Sequence, residues 1–196
     1  MFHFKPVTIL NLPEITKTII EFLPDNILNS YGFNVFKPSH FEKISKLKEL
    51  INSIKSWDLL KDIVVIVVPP DIWLENSPIH IDGDSPQHSS HVAFNIGLLN
   101  YEDSYTICYR LKNTPLLDEK IKFMNSDSSR PYNCYKEDEV EEVGRICYNS
   151  TTANLIDTSK PHKVTNYPNL VRVVISFRWN PPLRWNEIDK KILGIE

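Results

Sequence analysis

The sequence predicts a single α+β domain in which helices come first and a β-sandwich or barrel follows. Three observations lead there. The first 60 residues carry apolar side chains at helical spacings of three and four. From residue 62 the pattern changes to short β-branched runs bounded by prolines and turn residues. Finally, 196 residues with 41% hydrophobic content match the needs of one core.

The run "LPEITKTIIEFL" is the first helix candidate, with Pro13 suited to a first turn because its missing N–H has no helical partner there anyway. A second helix is expected over "SHFEKISKLKELINSIKSW", starting at Ser39. In it Phe41, Ile44, Leu47, Leu50, Ile51 and Ile54 form one apolar stripe among lysines and glutamates. It should cover one face of a sheet. The strand candidates are "DIVVIVVPP", "IHID", "HVAFNIGLL", "SYTICYRL", "TANLIDT" and "LVRVVISFRW". Residues 111–150 are polar, weakly periodic and acidic near their end ("KEDEVEE"), and are expected to form a long connection that could act as a lid.

Composition narrows the function. A net charge of −3 with both signs dispersed gives no footprint for a phosphate backbone, so no nucleic-acid partner is expected. With 5 glycines against 14 prolines, no glycine-rich phosphate loop is found. Cys108, Cys134 and Cys147 are odd in number and widely spaced, which suggests neither a disulfide framework nor a structural zinc site. No run of about 18 apolar residues and no signal-like start occurs. A cytoplasmic protein without a membrane span is the expectation, and "NST" at 149–151 is read as a chance sequon.

The chemistry concentrates in "PIHIDGDSPQHSSH" and "NLIDTSKPHKVTNYPNLVRVVISFRWN". On a strand, residues i and i+2 share a face, so His80 and Asp82 can converge on one ion. His162 follows in a turn-rich segment, and Arg172 opens an alternating strand ten residues later. There Arg172, Val174, Ser176 and Arg178 share one face, while Val171, Val173, Ile175, Phe177 and Trp179 share the packing face. An inward arginine is costly unless it meets an anion. Two histidines and one carboxylate form the facial triad of non-haem Fe(II) oxygenases. An arginine behind such a metal suits the far carboxylate of a dicarboxylate cosubstrate.

Other polar residues compete with these for a place at the site. In "HVAFNIGLL", Ala93, Asn95 and Gly97 lie opposite the apolar Val92, Phe94, Ile96 and Leu98. Two small residues flanking one amide suggest a strand that lines a cavity, with Asn95 facing a cosubstrate or a satisfied core amide. His88 and His91 are rival ligands that could join His80 in a three-histidine site. His3 and His40 read as surface or capping residues, and Tyr105, Thr106 and Tyr109 lie on a strand that could line the pocket.

In order, spacing and strand context, His80-x-Asp82, His162 and Arg172 resemble the 2-oxoglutarate and Fe(II)-dependent dioxygenases, in particular the small aspartyl/asparaginyl-hydroxylase-like and prolyl-hydroxylase-like members. The resemblance covers roughly residues 62–180. It implies a double-stranded β-helix (jelly-roll or cupin-like) core, with residues 1–60 as a helical buttress, within one oxygenase domain over 1–196. It further implies that His80, Asp82 and His162 ligate Fe(II), that Arg172 pairs with the distal carboxylate of 2-oxoglutarate, and that Asn95 and Ser176 are polar neighbours of the cosubstrate. The implied reaction uses dioxygen to hydroxylate a C–H bond of a small-molecule or peptidyl substrate. Arg178 is the alternative clamp. The competing expectations are a jelly-roll protein that only binds a small molecule and a cupin-type metalloenzyme that ignores 2-oxoglutarate.

Overall fold

The computed structural model describes residues 4–70, 79–82, 92–102, 104–112, 122–124, 131–165 and 170–188. Two antiparallel six-stranded sheets and two helices make up most of it, an arrangement compatible with a jelly-roll-like fold. No helix among these residues is long and apolar enough to cross a membrane.

The first sheet joins six strands edge to edge: β1 (Phe4–Thr8), β10 (Thr152–Asp157), β5 (Val92–Leu99), β12 (Arg172–Trp179), β3 (Leu60–Val68) and β2 (Gly32–Phe36). Its outer face carries the apolar halves of the alternating strands: Ile63, Val65 and Val67; Val92, Phe94, Ile96 and Leu98; Val173, Ile175, Phe177 and Trp179. Against them pack Leu12, Ile15 and Ile19 of α1 (Leu12–Phe22) and Leu47, Ile51 and Ile54 of α2 (Ser45–Ile54). Each fully buried large side chain contributes about 1.5–3 kcal/mol. Trp179 sits in this core, as its place on the packing face of β12 requires.

Pro13 does occupy the first turn of α1. The helix stops before Pro24, where Leu23 turns extended because a residue preceding proline avoids helical dihedrals. His40 closes this end, with its Nε2 2.8 Å from the carbonyl oxygen of Phe22, so it is a cap, as one of its two expected roles had it.

The second helix begins six residues later than the sequence predicts. Pro38–His40 forms a 3₁₀ turn, and the amides of His40, Phe41 and Ile44 donate to carbonyls three residues back. In 3₁₀ geometry residues i and i+3 lie on one side, so Phe41, Ile44 and Leu47 are buried together without a continuous α-helix. The spacing of three that suggested a longer helix is satisfied by turns.

The helical buttress also contains strands. β1 and β2 are five-residue edges, paired with β10 and β3 respectively. Pro6 lacks the donor that a central strand needs and sits on an edge, where that lack is tolerated.

The second sheet runs β7 (Lys122–Met124), β8 (Pro131–Tyr135), β4 (Ile79–Ile81), β11 (His162–Thr165), β6 (Tyr105–Leu111) and β9 (Val140–Cys147). Residues 111–150 therefore contribute three strands rather than one aperiodic connection. β9 hides its periodicity because Gly144 faces Cys108 while Glu142 faces Tyr109, leaving Val143 as an extra residue that breaks the alternation. Residues 113–121 and 125–130 of the expected lid, together with His3, His88 and His91, lie outside the described residues.

A smaller core of Cys108, Ile146, Tyr148, Ile156 and Val174 lies between the sheets. All three cysteines carry free thiols.

Candidate metal centre

β4 is only three residues long and lies between β8 and β11; on the β11 side its one paired position sets His80 directly opposite His162. Directly opposed residues on antiparallel strands point to the same face. The two imidazoles accordingly face each other, with ring centroids 4.5 Å apart. Asp82 follows one step beyond β4, where its amide donates to the carbonyl oxygen of Thr158 at 2.9 Å. This brings Asp82 Oδ1 to 3.7 Å from His80 Nε2 and 3.6 Å from His162 Nε2. One ligand atom from each of the three residues lies within 4.8 Å of the others, a group that can hold a metal ion.

The surroundings prepare these donors. His162 Nδ1 is 2.9 Å from the carbonyl oxygen of Lys160. A carbonyl only accepts, so the proton is on Nδ1 and the Nε2 lone pair is left for an ion. Arg178 holds the opposite side of the carboxylate, its Nη1 2.7 Å from Asp82 Oδ2. The same guanidinium donates through Nε to Ser176 Oγ at 3.0 Å and approaches Thr158 Oγ1 at 3.5 Å. Burial pushes the Asp82 carboxyl up. The charges of Arg178, His162 and His80 more than offset this and hold it at about 2, so the ligand is anionic at neutral pH.

One cavity takes in this group and the inner face of the first sheet, with about 810 Å³ of empty space including its open mouth. Its wall contains His80, Asp82, His162, Arg172, Arg178 and Asn95, along with Thr106, Tyr148 and Thr158. Arg172 is 2% exposed, and among the described residues its Nε has no hydrogen-bond partner and no carboxylate lies within ion-pair distance. Its guanidinium lies 5.0 Å from the centre of the Tyr148 ring, and Nη1 reaches the Thr165 carbonyl only at 3.5 Å. Burial pushes this guanidinium below its ordinary value.

Asn95 is buried in the cavity wall, its Oδ1 without a partner among the described residues. It stands between Asn154 on β10 and Ser176 on β12 in one lateral row, and Asn154 Nδ2 is likewise unsatisfied. Gly97 is small because a Cβ there would meet the Tyr101 ring at 2.6 Å. Thr106 is the member of its strand that faces the cavity; Tyr105 and Tyr109 are half-buried elsewhere.

The structure brings His80, Asp82, His162, Arg172 and Asn95 into one cavity and places Ser176 beneath Arg178. Sequence reasoning missed Tyr148, Thr158 and Asn154. Tyr148 sits just beyond the bulged β9, and Thr158 follows the end of β10 in a turn. Only the alternation of "TANLID", which puts Asn154 on the face of Ile156, could have signalled Asn154.

No protein-family profile matches the chain, and no curated protein matches it. Among solved structures, two crystal structures of HygX from Streptomyces hygroscopicus are similar to it. The apo form has a TM-score of 0.49 at 12% identity, covering 89% of this chain and 80% of that one. The form with iron bound has a TM-score of 0.47 at 13% identity, covering 89% and 81%.

Proposed function

We propose that the chain is a non-haem Fe(II) oxygenase with a double-stranded β-helix core, which uses 2-oxoglutarate and dioxygen to hydroxylate a C–H bond of a small-molecule or peptidyl substrate. The winding supports the core: β3, β4, β5 and β6 alternate between the two sheets, and so do β9, β10, β11 and β12. Two imidazoles and one carboxylate suit Fe(II) and leave coordination positions for other ligands.

The observation that carries the reading is Arg172. A guanidinium this buried is expensive without an anion, and it shares a cavity with the three metal-ligating residues. A dicarboxylate that meets the metal at one end can meet Arg172 at the other, and the planar fork of arginine binds a carboxylate through two bonds.

Bound at this site, iron supplies the oxidising chemistry by which 2-oxoglutarate, dioxygen and a C–H group become succinate, carbon dioxide and an alcohol. The chain's own residues do the rest. His162 keeps its tautomer through Lys160, Arg178 keeps Asp82 charged and oriented, and Asn95 offers a carbonyl oxygen to a donor in the cavity. Ile66, Val68, Ile156, Val164 and Val174 present apolar wall, which limits water near the reacting groups.

An anaerobic absorption titration with Fe(II) and then 2-oxoglutarate tests this. A visible charge-transfer band is expected, lost in Asp82→Ala and weakened in Arg172→Ala. Iron binding without the band would overturn the 2-oxoglutarate reading in favour of another metalloenzyme, and absence of iron binding would leave a small-molecule-binding protein.

A further inference from the structure

The edge strand β2 turns an apolar face towards the same side of the first sheet as the metal-ligating group. Tyr31, Phe33 and Val35 are 54%, 48% and 60% exposed. Phe33 is paired with Ile66 and Val35 with Val64, so these side chains continue the inner face of β3 outwards. Their neighbours Asn34 and Phe36 turn the other way, and Phe36 packs on the helix-covered core. Among the described residues the result is an apolar shelf that ends where Lys37 pairs with Asp62 at 3.3 Å. It is continuous with the cavity, because Phe33 and Ile66 line the cavity as well as the shelf.

The charged residues of the cavity wall stand further in: Arg172 and Arg178 on β12, across β3 from β2, and Asp82 and the two histidines on the side of the second sheet. A phosphate or a carboxylate lying on Phe33 and Val35 would lose hydration, and the cation at the end of the shelf, Lys37, is already paired with Asp62. An apolar group would gain about 25 cal/mol for each Å² removed from water.

We infer that this shelf seats an apolar, uncharged portion of the prime substrate, with Phe33 as the residue that selects it. The inference rests on the oxygenase reading and adds a substrate class to it: molecules with an aliphatic or aromatic group beside the C–H bond presented to the metal. A second copy of the chain fits the shelf less well. Three half-exposed side chains offer on the order of 300 Å², aromatic side chains carrying roughly 150–250 Å² each. A stable interface needs about 800 Å² per partner.

The test uses the full chain and the neutral dye Nile red, followed by fluorescence. Saturable binding of one dye per chain is expected, weakened at least tenfold in Phe33→Ser and in Val35→Ser. It should be unchanged in Leu10→Ser, which removes an exposed apolar side chain elsewhere. Dye binding that ignores both shelf substitutions overturns the inference. So does a dimer in sedimentation that Phe33→Ser dissociates, because the shelf then belongs to a second copy. The charge-transfer band of the wild-type protein is read separately. Its absence removes the oxygenase reading, and with it the prime substrate, whatever the dye does.

Discussion

Asp82 divides its carboxylate between two duties: Oδ2 lies 2.7 Å from Arg178 Nη1, while Oδ1 faces the Nε2 atoms of His80 and His162. The arginine belongs to the first sheet and the aspartate follows a strand of the second, so this pair ties the sheets together beside the two histidines of the candidate metal centre. It also engages Arg178 with this carboxylate and leaves Arg172 as the buried arginine without a carboxylate partner among the described residues.

Arg178→Ala should therefore weaken metal binding without removing a ligand. Loss of a partner that orients a ligating carboxylate typically costs about 10–100-fold in affinity. Competition against a metallochromic chelator checks this, and Arg178→Lys should recover only part of the loss because it cannot contact Asp82 and Ser176 in the same fork.

The acid response of the metal-free protein follows from the same carboxylate. Its folded value of about 2 lies below the ordinary 3.8, so its contribution to stability is full above about pH 4 and is lost as pH falls towards 2. The size is on the order of 2 kcal/mol. Urea unfolding of wild type and Asp82→Asn should differ by that order at pH 5, and the difference should shrink towards pH 2. A gap independent of pH would show that the ionised carboxylate is not its source.

Arg172 sets function against stability. Replacing a buried, poorly partnered cation with an apolar side chain of similar length is commonly neutral or stabilising by about 1–4 kcal/mol. Arg172→Met is expected to melt at or above the wild-type temperature in the absence of ligands. It should bind 2-oxoglutarate at least tenfold more weakly. Calorimetry and the absorption titration read the two effects separately.

The close approach of Tyr101 to Gly97 predicts a repairable defect. Gly97→Ala should destabilise by about 1–3 kcal/mol, the usual cost of forcing a methyl group into a packed site. The double variant with Tyr101→Ala should show a smaller penalty for the added methyl than the single variants imply, and a double-mutant cycle in urea measures that coupling.

The sequence was readable where one face of a strand is apolar throughout. β5 and β12 alternate so regularly that their packing faces, and with them Asn95 and Arg172, could be assigned from periodicity alone. The convergence of His80 and Asp82 was readable because they are two residues apart; the strand that His162 opens was not, since the segment around it reads as turn-rich. The task of Arg178 was hidden. Its contact with Asp82 depends on how two sheets stack, which no local pattern encodes. The bulge at Val143 concealed β9 and, with it, Tyr148. The strands β1 and β2 are short edges whose pairing partners lie far along the chain, and α2 starts late because 3₁₀ turns satisfy the same spacing as a helix.

The single pairing that sets His80 against His162 has a consequence for the order in which the chain matures. The two residues lie on strands far apart in sequence, and a slip of one position would turn an imidazole to the opposite face. The metal-ligating group therefore exists only after distant segments have closed in register. An ion captured there acts late, rewarding the finished fold and slowing its opening rather than hastening its formation. Metal loading would then double as proofreading, since a chain misaligned by one residue offers no ligand set to retain.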